Sequence, residues 1–140
     1  MKKIIHVLNI HTSQPEVFDA ISTGSGLSNW WTTKVEAEES VGGIVDFTFR
    51  GDFNPNMKIL VLNRPIELRW ECVSGHEPWQ DNKFYFELSE SATGTQLKFT
   101  QDYAQEISDE EYGIYNFNWG YYLQSLKYYC ENSKGKPFSP

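Results

Sequence analysis

Between positions 112 and 130 the chain places Tyr112, Tyr115, Trp119, Tyr122, Leu126 and Tyr129 at spacings of three and four, with Leu123 and Cys130 widening the same stripe. Residues so spaced share one face of an α-helix. Ser108 followed by Glu111 is a capping box, and Ile107 against Tyr112 a hydrophobic staple, so the helix is expected to begin there. It runs to about Asn132, with Gly113 and Gly120 as weak points, before Lys134-Gly135-Lys136-Pro137 stops it. A helix this long with six large side chains on one face cannot leave that face in water. Something broad and apolar must cover it.

The preceding sequence supplies a sheet. Residues 3 to 11 read as a strand with Ile4, His6, Leu8 and Ile10 on one face and Ile5, Val7 and Asn9 on the other, both largely apolar. Ser13 and Glu16 form a capping box for a short helix carrying Val17, Phe18 and Ile21. Thr23-Gly-Ser-Gly26 should end it, and 27–31 reads as a second short helix closing on Trp30 and Trp31. Segments 34–39 and 44–50 flank Gly42-Gly43, which predicts a hairpin with a tight turn and with Val45, Phe47 and Phe49 facing the core.

Segments 57–62 and 66–72 form the next pair around Asn63-Arg-Pro65, with Ile66, Leu68, Trp70 and Cys72 on one face. A long loop, 74–81, carries His76 and Trp79. In the last pair Phe84, Phe86 and Leu88 face Leu97, Phe99, Gln101 and Tyr103. The expected fold is α+β: a curved seven-stranded antiparallel sheet, two short helices after the first strand, and one long C-terminal helix packed across the concave face. Residues 1–140 form one domain, since no linker, repeat or low-complexity segment divides the chain.

Composition narrows the function. A net charge of −7, with no basic run longer than Lys2-Lys3, argues against nucleic acid, which needs a cationic face to release counterions. No apolar run approaches the roughly 18 residues of a membrane span. The two cysteines, Cys72 and Cys130, have no ligand-spaced partners and read as buried free thiols, so no metal or other cofactor is expected and a reducing cytoplasm fits best.

Several segments together resemble a known family. Ile10-x-Thr12-x-x-Pro15-x-Val17-Phe18, the Leu27-x-x-Trp30-Trp31 corner, Gly42-Gly43 before a strand and Pro65-x-x-Leu68-x-Trp70 come first. Asn118-Trp119-x-x-x-Leu123-x-x-Leu126-Lys127-x-Tyr129-x-Glu131 completes the set. In this order they resemble the Hsp90-ATPase-activator-homologue branch of the START-like, helix-grip superfamily. The resemblance implies a sheet gripping the C-terminal helix around a hydrophobic cavity, which the superfamily uses for lipids, hormones, polyketides and other apolar compounds. The co-chaperone proper carries an additional N-terminal domain that this sequence lacks, which counts against direct Hsp90 activation.

Three functions follow as expectations. The first is a non-catalytic module that binds an apolar, lipid-like or aromatic small molecule in a pocket lined by Trp31, Phe47, Phe49, Trp70, Phe84, Phe86, Phe99, Tyr115, Trp119 and Tyr122. Gln101, Tyr103 and the tyrosine hydroxyls are its candidate hydrogen-bonding groups. The second is an enzyme built on His6, His11, His76, Asp46 or Glu71, none of which has a partner at a telling spacing. The third is a chaperone-related protein-interaction module, for which the loop aromatics Phe53 and Trp79 would be either an exposed patch or a lid over the pocket, and an exposed edge strand could separately support a homodimer.

Overall fold

A computed structural model describes residues 2–140. Strand β1 (Lys3–Ile10) leads into helices α1 (Gln14–Ser22) and α2 (Gly24–Leu27). Six strands follow as a meander: β2 (Lys34–Ala37), β3 (Ile44–Thr48), β4 (Asn56–Asn63), β5 (Glu67–Ser74), β6 (Lys83–Ser91) and β7 (Gly94–Asp102). A single 3-10 turn, Glu77–Trp79, interrupts the β5 to β6 loop, and α3 (Asp109–Asn132) closes the chain. The sheet is antiparallel throughout, in the order β1-β7-β6-β5-β4-β3-β2. Its concave face and the two short helices enclose α3, as the sequence leads one to expect.

Both capping boxes form on their donor side. The Ser13 hydroxyl accepts from the Glu16 amide at 3.4 Å and Ser108 from the Glu111 amide at 3.1 Å. Strand β1 resolves its ambiguity by facing Ile4 and Ile10 into the core and leaving Ile5 and Val7 exposed. Ile4, Phe47, Ile59, Trp70, Phe86, Phe99 and Leu126 meet in one continuous core.

Four expectations need correction. The segment 23–26 does not simply end α1: the Thr23 hydroxyl accepts from the Gly26 amide at 2.9 Å and starts α2 at once, so Trp30 and Trp31 follow that helix instead of belonging to it. The 34–50 hairpin is real, but its connection is six residues long, and of the two glycines only Gly42 has a positive φ, 87°. Ile66 lies in the turn before β5 and is exposed, because its amide closes the turn on the Asn63 carbonyl. On α3, only Trp119, Leu123, Ser125 and Leu126 are buried; Tyr112, Tyr115, Tyr122 and Tyr129 pack with one edge in the core and one toward solvent.

Helix α3 also guards the free edge of β1. Tyr112 donates from its hydroxyl to the Lys3 carbonyl, Lys127 from Nζ to the Asn9 carbonyl at 2.6 Å, and the Glu131 carboxylate accepts from the His11 amide at 2.8 Å. These bonds satisfy the two ends of the edge, which shortens the stretch open to pairing with another chain to the middle of the strand around Ile5 and Val7. No described helix is long and apolar enough to cross a membrane. Cys72 and Cys130 are both free, Cys72 buried as expected but Cys130 only partly so, and burial pushes their thiols up to about 11 and about 12, which favours the protonated form.

Candidate functional site

The sheet and α3 separate at one end, and a cleft of about 580 Å³ opens between them. Its floor is built from buried aromatics. Trp31, delivered by the α2 corner, stacks on Trp119 of α3 with centroids 5.0 Å apart, and Trp119 stacks in turn on Trp79 at 6.1 Å. Three indoles thus lie in near-parallel series across the gap. Phe49 meets Trp31 edge-on at 5.1 Å and packs on Phe53 at 4.8 Å, which forms one wall. Exposed Arg50, Asp52 and Asn118 stand on the rim.

Local chain geometry explains these positions. Strand β3 ends at Thr48, and the Asn54 side chain takes the Phe49 amide at 2.9 Å while donating to the Gly51 carbonyl at 2.9 Å. That closes a compact turn, with Arg50 bridged to Phe53, and aims Phe53 inward. The C-terminal tail returns along the α2 corner: the Phe138 amide donates to the Trp31 carbonyl at 2.9 Å and the Thr33 amide to the Phe138 carbonyl at 2.8 Å. Phe138 therefore reaches the cleft, 5.6 Å from Phe49, with the Arg50 guanidinium 4.8 Å above its ring.

One polar pair sits inside. His76 Nε2 and the Tyr115 hydroxyl are 2.8 Å apart, and the His76 ring is boxed by Phe53 at 4.7 Å and Trp79 at 5.4 Å, both edge to face. Burial lowers the His76 pKa, opposed in part by the Asp52 backbone and carboxylate, and burial also raises the phenols of Tyr115 and Tyr122. The fold thus favours the neutral form of His76 relative to the unfolded chain. A base with a depressed native pKa contributes stability above its unfolded value that is lost as the pH falls through it. Between about pH 7.5 and 5, which spans the unperturbed histidine value of about 6.5, the wild type should therefore lose stability relative to His76→Gln. Parallel melting curves for the two proteins test this; an unchanged gap contradicts it.

The cleft lining brings no Ser, Thr or Cys beside the pair, and no group of three His, Cys, Asp or Glu side chains able to hold a metal occurs among the described residues. The other groups weighed for chemistry lie outside the cleft: His6 meets Asn116 at 3.0 Å on the flank of α3 that faces β1, the backbone of His11 is held by Glu131, Glu71 pairs with Lys83, and Asp46 is exposed on β3.

Of the side chains expected to line a pocket, Trp31, Phe49, Tyr115, Trp119 and Tyr122 do come together around the cleft. Phe47, Trp70, Phe84, Phe86 and Phe99 lie behind them as fully packed core, with Phe99 only 4.3 Å from Trp119. Gln101 also lies behind, its Oε1 accepting from the Trp119 indole N–H at 2.8 Å. Tyr103 is buried, and that burial drives its phenol strongly upward, with the Trp79 indole opposing. Trp79 is 2% exposed and Phe53 packs against it, so these two aromatics form cleft wall and not a surface patch. Sequence reasoning assigned no role to Arg50, Asp52, Asn118 or Phe138; for Phe138 the available signal was an aromatic placed directly after the helix-stopping Pro137.

The family model described as Activator of Hsp90 ATPase homolog 1-like protein matches residues 11–131. The chain belongs to this family. Among solved structures, this family member is similar to the Aha1 dimer from Colwellia psychrerythraea, determined in solution. That match has 29% identity and a TM-score of 0.86 over 96% of this chain and 100% of that one. Protein SSP2350 from Staphylococcus saprophyticus aligns at 16% identity and a TM-score of 0.76, covering 96% of each chain. CalU16 from Micromonospora echinospora aligns at 20% identity and a TM-score of 0.76 over 96% of this chain and 69% of its own. These last two share the fold alone. No curated protein matches the sequence.

Proposed function

We propose that this Hsp90-activator-homologue-like domain binds an apolar, aromatic or lipid-like small molecule in the cleft between sheet and α3, without chemistry. The supporting observation is the cleft itself: about 580 Å³, floored by stacked indoles, with its charged groups on the rim and one hydrogen-bonded His76–Tyr115 pair inside. That distribution suits a mostly apolar guest carrying one or two oriented polar atoms. Trp31, Phe49, Tyr115, Trp119 and Tyr122 supply the contact surface. Phe47, Trp70, Phe84, Phe86, Phe99, Gln101 and Tyr103 hold that surface rigid from behind.

Oleate, naringenin and ergosterol serve as probes of three apolar classes. At roughly 100 times its Kd a ligand stabilises the native state by about 2.7 kcal/mol, which for a domain of this size is a Tm rise of roughly 5–10 °C. At least one class is expected to give such a rise, and Asn118→Trp, which puts a bulky ring on the exposed rim, is expected to abolish it. No rise with any class, or an undiminished rise in the variant, would overturn the reading.

A second reading is that the protein works as a homodimer. The Colwellia relative, 29% identical over nearly the whole chain, is a dimer, and this supports the same state here.

A further inference from the structure

Among the described residues, nothing covers the outer face of α3. Ile114, Phe117, Tyr121 and Tyr128 are all exposed there, Phe117 by 75%. Ile114, Tyr121 and Tyr128 recur every seven residues and Phe117 falls three after the first, a continuous stripe on the side of the helix opposite Trp119 and Leu123. Glu110 lies one turn before this stripe, beside Asp109 and Glu111, while Lys134 follows the helix end. The face is apolar in its middle, acidic at its start and basic past its end.

We propose that a second copy of this chain docks on this face, with the two α3 helices antiparallel about a two-fold axis at Tyr121. The proposal rests on the homodimer reading above and names its surface. About such an axis Ile114 meets the partner's Tyr128, Tyr121 meets its own counterpart, and the acidic first turn with Glu110 meets the basic segment at the partner's Lys134. An antiparallel pair also opposes the two helix macrodipoles favourably. Every contact is repeated by symmetry, as an isologous interface requires.

The sheet edges are poorer sites. Strand β1 is held at both ends by Tyr112, Lys127 and Glu131, which leaves only a short stretch around Ile5 and Val7 open, and β2 is four residues long with exposed Lys34 and Glu36. A membrane surface is disfavoured too, because an interfacial helix needs basic residues beside its apolar stripe and this one starts with three acids. One helix face per protomer buries less than the roughly 800 Å² of a standard interface, so micromolar association is expected.

Sedimentation velocity from about 1 to 200 μM, which brackets micromolar association, should show the wild type passing from monomer to dimer. Phe117→Asp, with unchanged circular dichroism and Tm, should stay monomeric. Glu110→Lys and Lys134→Glu should each weaken the dimer roughly 3- to 10-fold, the effect of two exposed ion pairs, and the double reversal should restore it. A wild type that stays monomeric would overturn both the homodimer reading and this surface, leaving the stripe to a different protein. A dimer that survives Phe117→Asp would overturn the surface alone. A double reversal no tighter than the single variants would overturn the antiparallel arrangement.

Discussion

Trp119→Ala should destabilise the domain by about 3–5 kcal/mol, the cost of deleting a buried tryptophan without collapse of its site. Trp119 is 2% exposed and contacts Trp31, Trp79, Phe84 and Phe99, so it ties α3 to the α2 corner, the β5 to β6 loop and strands β6 and β7. Its indole N–H is also the donor to Gln101 Oε1 at 2.8 Å. Trp119→Phe keeps most of the apolar contact but strands that buried oxygen, so about 1–3 kcal/mol is expected from the hydrogen bond alone. Urea unfolding should show both variants with lowered midpoints and the alanine much the lower. As a control, Tyr121→Ala on the exposed side of the same helix, measured at a protein concentration low enough to keep the chain monomeric, should stay within about 0.5 kcal/mol, as remote surface changes do. An alanine variant within about 1 kcal/mol of wild type would mean that the sheet does not grip the helix at Trp119.

Gly75→Ala is expected to cost about 2–4 kcal/mol and to distort the cleft. Gly75 has φ 90°, a conformation that a side chain disfavours, and a Cβ there would lie 1.9 Å from the Asn54 carbonyl oxygen and 2.8 Å from its carbon. Both obstacles are backbone, so no rotamer change relieves them. The approach is fixed from the other side as well, because the Asn54 amide donates to the Gly75 carbonyl at 3.0 Å. This contact clamps the turn carrying Phe53 to the loop carrying His76 and Trp79. Forcing the two apart should lower the Tm and weaken the near-ultraviolet circular dichroism contributed by the Trp79 cluster. An alanine variant with wild-type Tm and spectrum would contradict the clamp.

These two positions also mark how far the sequence could be read. Trp119 was legible because helical periodicity is a local rule: Tyr115, Trp119 and Tyr122 fall on one face whatever covers them. The strand alternation of Leu68, Trp70 and Cys72, and of Phe84, Phe86 and Leu88, is local in the same sense, and it gave the sheet its inward face. Gly75 was not legible. What makes it special is the Asn54 backbone, 21 positions away, and nothing in the residues around position 75 announces that approach. Phe138 reached the cleft for the same kind of reason, through backbone bonds to Trp31 and Thr33 made more than a hundred residues back along the chain.

Inward-facing aromatics read equally well as pocket lining or as packing, and the division between them is tertiary. Phe47 and Phe49 are two residues apart on one face, yet Phe47 is packed behind Trp31 while Phe49 stands at the opening, because the strand ends between them at Thr48. From sequence, Trp79 reads equally as a surface aromatic or as a lid over the pocket. The 3-10 turn Glu77–Trp79 folds it inward instead, against Phe84 at 5.3 Å. The corner tryptophans divide likewise. Trp30 turns its indole N–H to the Ala20 carbonyl at 2.8 Å and belongs to the core, while Trp31 faces the cleft.

That division supplies a direct measurement. The chain has five tryptophans, each with one indole N–H signal in a proton–nitrogen correlation spectrum. Trp31, Trp79 and Trp119 line the cleft; Trp30 and Trp70 do not. Titration with oleate, naringenin or ergosterol should move the three lining signals along one saturable curve and leave the signals of Trp30 and Trp70 nearly in place. If no probe moves the three together, or if Trp30 and Trp70 move as much as they do, the cleft is not a binding site.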